Sequence, residues 1–486
     1  MKQPVTYYLL VAAVFLLLVS DSLLTTGMFM DGLIYSNVAA NMAEGIGDFW
    51  HPTHSASLIP EFYGHPPLAM GMLALCYRLL GTSLWVTRLY SMFMTLLTAL
   101  LLVRLWRRAG YSLRTGWMPL LLWTLVPAVT LNSHNYMLEC TMAVFVLAAV
   151  LCLLHPVRRQ GTRLLWAAAA GICLSLAFLT KGFTGLYPLS LPVILWLTDL
   201  CFHPHGRREH PFWMAVAETA VVLVSLGATL ALVGLIQPEA WGFLRTYLSQ
   251  QVVGGIETPI VDSRWYILKK FFEETAIDWG LAAVMIVLAA GARRRGEPTM
   301  PLASDWRRFA VLMLLTLAGV LPVMISLKQR SFYILTVYPF FAVAVAALLQ
   351  RAASHWLSQT GRWGHRLGNT VALLALVAAI GLNIHHYGQP GRDEAMQNDM
   401  HQILSHLQHG EQVSLPQQLA GEYSLKAYYY RDGRVTLMPV ADLSDSTLPY
   451  RHLLTDSPLP LSAERLFQEI PLNTEQYKLY ERRENP

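Results

Sequence analysis

The stretch PFWMAVAETAVVLVSLGATLALVGLI, residues 211–236, contains a single charged side chain, Glu218. A run of about 20 apolar residues is long enough to cross the ~30 Å hydrocarbon core of a bilayer. Similar runs recur from Val5 to about Asn383 in a chain of 486 residues. The composition agrees, since 54% of the residues are hydrophobic and 14% are charged, whereas a soluble domain carries about 25% charged residues. The sequence therefore predicts a polytopic α-helical membrane protein and excludes an ordinary soluble enzyme.

The last part of the chain, residues 385–486, has no such runs and is richer in polar residues. Its pattern predicts a helix near 394–408 and a strand near 476–480. The runs 427–430 and 435–438 flank Arg431-Asp432-Gly433-Arg434, which is a hairpin signal. We therefore expect two domains: a membrane domain at 1–384 and a small C-terminal extracytoplasmic α/β domain at 385–486.

Net charge and cysteine usage exclude other classes. The net charge is +5, but in a membrane protein a basic balance reports loop orientation, so no nucleic-acid partner is expected. The five cysteines lie in or beside hydrophobic segments without CxxC spacing, so neither a disulfide framework nor a thiolate metal site is indicated. The apolar run after Lys2 extends to about Met28, too long for a signal peptide, and is interpreted as an uncleaved first span.

Arginine placement fixes the expected topology. The segment that begins at His65-Pro66-Pro67 has only about 15 apolar residues. If it lies at the membrane interface rather than crossing, the arginine-rich loops fall on the inner side. Those loops are 104–114, 158–163, 207–208, 293–308 and 351–366.

About eleven spans follow, with the N-terminus inside and the C-terminal domain outside. They are 5–28, 84–103, 116–131, 138–154, 163–179, 184–202, 211–236, 278–292, 309–327, 332–350 and 367–384. Two long outer loops, about 29–83 and 237–277, are predicted. The arrangement is typical of a bacterial inner membrane protein.

Basic residues on the outer side are few. Before the C-terminal domain they are Arg78, Lys181, Arg245, Arg264, Lys269, Lys270, Lys328 and Arg330. Singly, each could anchor to lipid headgroups by snorkelling. Several that converge would suit a lipid phosphate, because ammonium and guanidinium groups neutralise a phosphate at the membrane boundary.

Two carboxylates, Asp31 and Glu139, are predicted at the outer ends of spans, where an acid is costly unless it is solvated, paired or functional. The alternative for Asp31 is an N-cap on a helix at 32–44, and Glu139 could cap its own span. Asp21, expected to be buried in the first span, is a rival functional acid.

A divalent metal ion is the one cofactor left open. His51, His54 and His65, with Glu61 between them, have the ligand types of a zinc site on the first outer loop. Glu61 and His65 are the weak candidates. Loop histidines of this kind are otherwise simply solvated, and the spacing matches no known motif.

The order of these motifs resembles the GT-C superfamily, and within it glycosyltransferase family 39, the branch of protein O-mannosyltransferases and aminoarabinose transferases. Asp31 matches the acid of the family's Asp-Glu step, with Gly32 in place of Glu. The Glu-Lys-Pro-Pro-Leu step corresponds to the stretch from Gly64 to Leu68, Met-Leu-Asp to Met137-Leu138-Glu139, and Thr-Lys-Gly to Thr180-Lys181-Gly182. Arg264-Trp265-Tyr266 is similar to a basic-aromatic step in the family's second outer loop.

The resemblance implies a membrane glycosyltransferase, transferring a hexose or a pentose. It would take the sugar from a polyprenyl-phosphate donor and pass it, with inversion, to lipid A, an envelope glycan or a protein hydroxyl. Asp31 and Glu139 are expected to be catalytic. Lys181, Arg264, Lys328 and Arg330 are expected to bind the donor phosphate, and Tyr35, His65 and Tyr333 to contact substrate.

Two other classes stay open. A polytopic transporter of a lipid-linked or small substrate also has many spans and buried acids, although transporters place ionisable groups near the midplane rather than at outer ends. A membrane-anchored binding or assembly protein is the third class. Loss of activity on Asp31→Asn with normal folding would exclude it.

Sidedness can be measured directly. In a cysteine-free background, single cysteines near Thr53 and near Asp445 should react with an impermeant thiol reagent applied from outside. A cysteine near Ser112 should react only after permeabilisation, because the arginines place that loop inside. Outside labelling near Ser112 would contradict the topology.

Overall fold

The computed structural model describes residues 3–157, 159–202, 210–254, 259–445 and 449–483. Lys2, Arg158, Arg207 and Arg208, which the predicted topology uses, lie outside the described residues. Two compact units are present. The first comprises Met1–Ser20, Tyr63–Ala69 and Arg88–Asn383, and the second comprises Asp21–Phe62, Met70–Thr87 and Ile384–Pro486. The predicted division at residue 384 stays a prediction.

Long helices dominate the chain up to residue 385. They are α1 (Gln3–Leu18), α2 (Met30–Glu44), α3 (Leu68–Leu80), α4 (Leu84–Arg108), α5 (Trp117–Leu125), α6 (Pro127–Ser133), α7 (Leu138–Leu153), α8 (Gln160–Lys181), α9 (Leu191–Phe202), α10 (Phe212–Ile236), α11 (Glu239–Tyr247), α12 (Tyr266–Glu274), α13 (Ala276–Arg293), α14 (Ala303–Val320), α15 (Tyr338–Gln359) and α16 (Arg362–His385). Short helical turns lie at Leu113–Thr115, Gly182–Gly185, Tyr187–Ser190, Leu248–Val253, Leu321–Ile325 and Ser331–Val337.

Within the described residues, seven helical segments are long and apolar enough to cross a membrane, or eight if the bent pair α6 and α7 forms one span. The bend between α6 and α7 is 113°. Each of the eleven predicted spans overlaps a helical segment, but α1 and the Tyr187–Phe202 region are shorter than the seven. The polytopic helical architecture is confirmed, and the count of eleven stays a prediction.

The first unit has a cluster of arginine ion pairs at the ends of its helices that the sequence assigns to the inner side. Arg163, in the first turn of α8, pairs with the buried Glu218 of α10. Arg307 pairs with the buried Asp199. Arg308 lies 3.3 Å from Asp305. Arg163 and Arg307 thus hold neighbouring helices together, whereas the Arg308 pair lies within α14.

The first helix ends ten residues earlier than predicted. It stops at Leu18 rather than near Met28. The reason lies in the backbone: the Thr26 and Gly27 amides donate to the carbonyls of Gln389 and Pro390, at 2.9 Å each. A segment engaged in this way cannot continue an α-helix. The expectation that Asp21 is buried in the first span is therefore wrong, since Asp21 is exposed.

α3 has the length and burial expected of an interfacial helix. Its 13 residues span about 20 Å at 1.5 Å per residue, short of the ~30 Å core. One side is buried at Met70, Leu73 and Tyr77, while Leu79 and Leu80 on the other side are exposed. A helix of this kind can place its exposed apolar side against lipid.

The C-terminal region forms an α/β fold, as predicted. It contains α17 (Glu394–Leu404), α18 (Tyr423–Gly433), α19 (Leu461–Glu464) and the strands β1 (Gln412–Pro416), β2 (Thr436–Val440), β3 (His452–Thr455), β4 (Phe467–Glu469) and β5 (Lys478–Arg482). The strand order is β2-β1-β3-β5-β4. β1 is parallel to β2 and β3, whereas β5 is antiparallel to β3 and β4.

The predicted hairpin around Arg431-Asp432-Gly433-Arg434 is wrong. Its first arm is the buried end of α18, which connects the parallel strands β1 and β2. Parallel neighbours need a crossover rather than a tight turn. Tyr428 and Tyr429 have high strand propensity, but both are fully buried on this helix, and burial overrides propensity.

Asn41 organises the second unit. Its amide nitrogen donates to the carbonyls of Thr53, at 2.9 Å, and His54, at 2.5 Å. Its amide oxygen accepts hydrogen bonds from Tyr430 at 3.0 Å and Arg434 at 2.8 Å. One buried side chain of α2 therefore connects the first predicted outer loop to the end of α18.

Candidate functional site

The centre of the site is an ion pair between two residues that the sequence had singled out separately. Glu139 lies in the first turn of α7, and Lys181 is the last residue of α8. The Lys181 ammonium contacts the Glu139 carboxylate, and both side chains are buried, with 3% and 0% of their surfaces exposed. The idea that Glu139 caps its own helix is wrong, because Met137 is the N-cap.

Aromatic rings complete the surroundings of Lys181. Its Nζ lies 5.2 Å from the ring centroid of Phe332 and 5.3 Å from that of Tyr333. Such distances allow cation–π attraction, which strengthens where water is excluded. Lys181 is thus held by a carboxylate and by two rings from the turn after Arg330.

The glycine of the Thr-Lys-Gly turn has a steric role. Gly182 has φ +82°, and a Cβ at this position would collide with the hydroxyl of Tyr247. Glycine therefore permits both the backbone conformation and the close approach of Tyr247. Any larger residue would displace either Tyr247 or the end of α8 that carries Lys181.

A cavity of about 380 Å³ in the first unit opens beside this pair. Lys181, Lys328, His65 and Tyr333 line it together with Tyr247 and Gln251. The structure thus brings together four of the residues that the sequence predicted for donor or substrate binding. The remaining wall includes apolar residues such as Val323 and Ile325, which suits a ligand with a charged and a hydrocarbon part.

The surroundings of His65 in this cavity favour its neutral imidazole form. Burial lowers its pKa well below the ordinary value, and the positive charges of Lys181 and Lys328 lower the pKa further. His65 can therefore donate or accept one hydrogen bond without adding charge. The two nearby ammonium groups also disfavour a divalent cation at His65, because like charges repel strongly in a poorly solvated site.

Lys328 differs from Lys181 in its partner. Its Nζ donates to the amide oxygen of Gln251 at 3.1 Å. In the described part of the chain it makes no ion pair with a carboxylate. Its positive charge is therefore oriented by a neutral group and stays available to an anion.

Gln329 connects the two basic motifs and was missed by the sequence analysis. This buried amide donates to the carbonyls of Ser326 at 2.7 Å and Arg264 at 3.2 Å, and accepts from the Ile267 amide at 2.8 Å. The turn that carries Lys328 is thereby fixed to the segment that carries Arg264. The side chains of Arg264 and Arg330 are exposed and lie outside the residues that line the cavity.

Asp31, Tyr35 and Glu61 belong to the second unit. Asp31 lies in the first turn of α2 and is partly buried, and because Phe29 is the N-cap, the N-cap interpretation of Asp31 is wrong. Tyr35, one turn further along the same face, is buried and meets the Phe62 ring edge-on at 6.0 Å. Glu61 is exposed.

The histidines proposed as metal ligands have other partners in the second unit. His54 is buried, with its two ring nitrogens 3.1 Å from the Asn37 amide nitrogen and 3.2 Å from the Ser55 hydroxyl. Burial, and then the charge of Arg434, lower its pKa to about 3. His51 lies 3.1 Å from the Asp48 carboxylate. His54 is therefore a structural residue.

The ion pair should matter for stability as well as for chemistry. Glu139→Gln leaves the Lys181 ammonium buried without its carboxylate, which costs about 3 to 5 kcal/mol for a buried pair. We expect a clearly lower melting temperature in detergent, and Glu139→Leu combined with Lys181→Met should recover part of the loss. Glu273→Gln, which removes a solvent-accessible partner of Lys270, is the matched control. Equal melting temperatures for Glu139→Gln and this control would contradict the assignment.

Comparisons with known proteins show a family and a curated relative that this chain is similar to. Residues 64–229 match the family model described as dolichyl-phosphate-mannose-protein mannosyltransferase. The chain is 26% identical over 344 residues to an undecaprenyl phosphate-alpha-4-amino-4-deoxy-L-arabinose arabinosyl transferase from Pseudomonas aeruginosa (strain LESB58). That match spans 70% of this chain and 56% of the relative, so the chain matches little more than half the length of this curated protein.

Two solved structures share the fold. ArnT from Cupriavidus metallidurans bound to undecaprenyl phosphate has a TM-score of 0.66 at 16% identity, covering 100% of this chain and 99% of the other. The apo state of ArnT from the same organism has a TM-score of 0.63 at 17% identity, with 98% and 97% covered. At these identities the two structures show a shared fold. Together with the family-model match and the Pseudomonas relative, they confirm the predicted resemblance to the GT-C superfamily and to its aminoarabinose transferases.

Proposed function

We propose that this chain is a membrane glycosyltransferase that moves a sugar from a polyprenyl-phosphate donor to an acceptor of the cell envelope. The observation that carries the proposal is the cavity in which Lys181 and Lys328 meet beside Tyr333. A donor of this class has a phosphate, which needs cations, and a hydrocarbon chain, which needs an apolar wall. The cavity offers both.

The cations would act on the leaving group. When the sugar–phosphate bond breaks, a lipid monophosphate gains negative charge, and preorganised cations that meet this charge lower the barrier. Lys328 is suited to this role because its partner is a neutral amide. Arg264 and Arg330, exposed on segments joined by Gln329, are proposed to contact the phosphate from outside the cavity.

Lys181 would act together with Glu139. The carboxylate fixes the ammonium in place while the donor is absent, and a phosphate that reaches Lys181 would share it with Glu139. In this proposal Glu139 positions Lys181, and its effect on turnover passes through that lysine. His65 and Tyr333 contact the donor by hydrogen bonding, and Tyr35 contacts substrate in the second unit.

Asp31 is proposed as the general base. It would take the acceptor proton as the acceptor oxygen attacks the anomeric carbon, which inverts that carbon. If the acceptor oxygen belongs to a phosphate, no proton has to be removed, and Asp31 would instead orient the acceptor. The possible divalent metal ion of the sequence analysis stays a prediction.

The comparisons narrow the donor more than the acceptor. The Pseudomonas relative is named for an aminodeoxyarabinose carried on undecaprenyl phosphate, and one ArnT structure contains undecaprenyl phosphate. We infer undecaprenyl phosphate as the carrier here, with a pentose or a hexose as the sugar. We propose that the acceptor is lipid A, an envelope glycan or a protein hydroxyl. The match to a protein mannosyltransferase family is the reason for including the protein hydroxyl.

The proposed location is the bacterial inner membrane. We infer that α1, the α5–α6 region, α7 and the Tyr187–Phe202 region cross together with the seven long segments. An odd number of crossings puts the two termini on opposite sides, and the arginine-rich loops orient the N-terminus to the cytoplasm and the C-terminal domain to the outside. Residue 139 then lies at the outer end of α7, where a lipid-linked sugar displayed on the outer face is accessible.

Lys328→Ala tests the donor site. The assay combines purified protein with undecaprenyl-phosphate sugar and follows transfer to envelope glycolipids by mass spectrometry. We expect kcat to fall on the order of 100-fold, about 3 kcal/mol, because the contact between Lys328 and the phosphate strengthens as the sugar–phosphate bond breaks. Lys269→Ala removes an exposed lysine of α12 and should change little. A normal kcat in Lys328→Ala would contradict the assignment of Lys328 to the donor phosphate. Substrate uptake without any sugar transfer would favour a transporter.

Asp31→Asn tests the base. We expect most turnover to be lost while the melting temperature changes little, since an acid in the first turn of a helix contributes about 0.3 to 1 kcal/mol. Asp21→Asn alters an exposed acid nearby in the sequence and should keep full activity. If Asp31→Asn turns over the natural acceptor like the wild type, Asp31 is not the base.

A further inference from the structure

A separate cavity of about 360 Å³ lies entirely within the second unit. We call it the arginine cavity, after Arg431 and Arg434 at the end of α18. α2 contributes Ser36, Asn37 and Ala40 to its wall. Around a helix with 3.6 residues per turn, Ser36 and Ala40 lie about 140° and about 180° from Asp31. The arginine cavity therefore faces away from the proposed base, and nothing in the transfer reaction uses it.

The two arginines are held rigidly before any ligand arrives. Arg431 lies 4.9 Å from the ring centroid of Tyr428 and donates to both oxygens of Asp432, at 2.6 and 2.7 Å. It also donates to the Thr26 carbonyl at 2.8 Å. Three of its five N–H groups are thus accounted for among the described residues. Planar groups fixed in this way lose little entropy when they bind.

Arg434 is arranged similarly. Its guanidinium lies 5.1 Å from the ring centroid of Tyr430 and donates to Asn41 at 2.8 Å and to the carboxylate of Glu44. Because each arginine has a carboxylate partner, the net positive charge of the cavity is small. A doubly charged phosphate would have to compete with these carboxylates, whereas a neutral polyhydroxylated ligand would not.

The rest of the wall also suits hydroxyl groups. Thr26, Ser36, Thr82 and Ser83 contribute hydroxyls, and Trp85 contributes an aromatic surface. The Thr26 hydroxyl already donates to Gln397 and the Ser36 hydroxyl to the Leu33 carbonyl, so these two offer acceptor oxygens to a ligand. One face of Trp85 stacks on Tyr387, with the ring centroids 4.9 Å apart. The apolar face of a sugar ring can pack on such a surface while its hydroxyls bond to the arginines.

The position of the cavity points to a lipid-borne sugar. Thr82 and Ser83 separate the interfacial helix α3 from α4, and α4 is a candidate membrane span that begins at Leu84. Residues at this junction lie at the boundary between lipid and water. We propose that the arginine cavity binds the uncharged sugar headgroup of a glycolipid, a site additional to the donor site and not dependent on it.

The test measures binding rather than transfer. Full-length protein in detergent is titrated with monoglucosyl dioleoylglycerol and followed by native mass spectrometry, with dioleoyl phosphatidylglycerol and methyl glucoside as the comparison ligands. Ala40→Leu fills the cavity from α2, and Thr82→Trp blocks it from an exposed position that tolerates change. Ala43→Leu makes the same substitution on α2 outside the cavity wall and is the matched control.

We expect the dissociation constant for the glycolipid to rise at least 10-fold in Ala40→Leu and in Thr82→Trp and to stay unchanged in Ala43→Leu. Three outcomes would overturn the proposal: unchanged binding in both cavity variants, equally tight binding of phosphatidylglycerol at the same site, or methyl glucoside binding as tightly as the glycolipid. Unchanged binding would exclude the arginine cavity as the binding site. Equal binding of phosphatidylglycerol would exclude recognition of the sugar, and equal binding of methyl glucoside would exclude a contribution from the lipid. None of them touches the donor site, which the Lys328→Ala kinetics test independently.

Discussion

The ion pair between Glu139 and Lys181 is the interaction on which the candidate site depends. An ammonium group loses several kcal/mol of solvation free energy when it is buried, and only a well-placed carboxylate restores it. α7 and α8 are consecutive helices, so the start of one can lie beside the end of the other. Glu139 is at the positive N-terminal end of its helix and Lys181 at the negative C-terminal end of its helix, so each helix dipole stabilises its own charge. The pair fixes the two helix ends, and with them one wall of the cavity.

The two lysines of the cavity have different electrostatic situations. Lys181 has its charge balanced by a carboxylate, while Lys328 is oriented by the amide of Gln251. The net positive field inside the cavity therefore comes mainly from Lys328. A phosphate that enters the cavity would contact the Lys328 ammonium first. It would contact Lys181 as well, and the Lys181 ammonium would then be shared between the phosphate and Glu139. Placing one lysine beside a carboxylate lowers the repulsion between two ammonium groups that must otherwise occupy the same cavity.

Patterns along the sequence were enough to predict the membrane class, the α/β nature of the C-terminal region and most helix positions, because apolar length and arginine placement are local signals. They also identified Glu139 and Lys181, since basic residues on the outer side are few and an acid at the membrane boundary is costly. Their direct pairing could not be predicted, because the two residues are 42 positions apart and many partners were open. Gln329 and Tyr247 gave no signal at all, because a buried amide or phenol is recognised only by what it touches.

The two wrong predictions of secondary structure share one cause. The first helix was extended to Met28, and residues 427–430 of α18 were interpreted as the first arm of a hairpin, because both segments have the right local propensity. In each case a distant part of the chain decides: the backbone at Gln389 and Pro390 competes for the amides of residues 26 and 27, and the parallel strands β1 and β2 require a helix between them. Long-range hydrogen bonds of this kind cannot be recognised from a single segment.

The donor cavity and the arginine cavity differ in how their cationic side chains are paired with carboxylates. Both contain two cationic side chains, so a count of positive residues would assign phosphate to each. In the arginine cavity each guanidinium already has a carboxylate within hydrogen-bonding distance, and what remains for a ligand is directed N–H groups with little net charge. In the donor cavity Lys328 has only an amide partner among the described residues. The partner of each cation, more than the cation itself, therefore decides whether a phosphate or a neutral sugar is the better ligand.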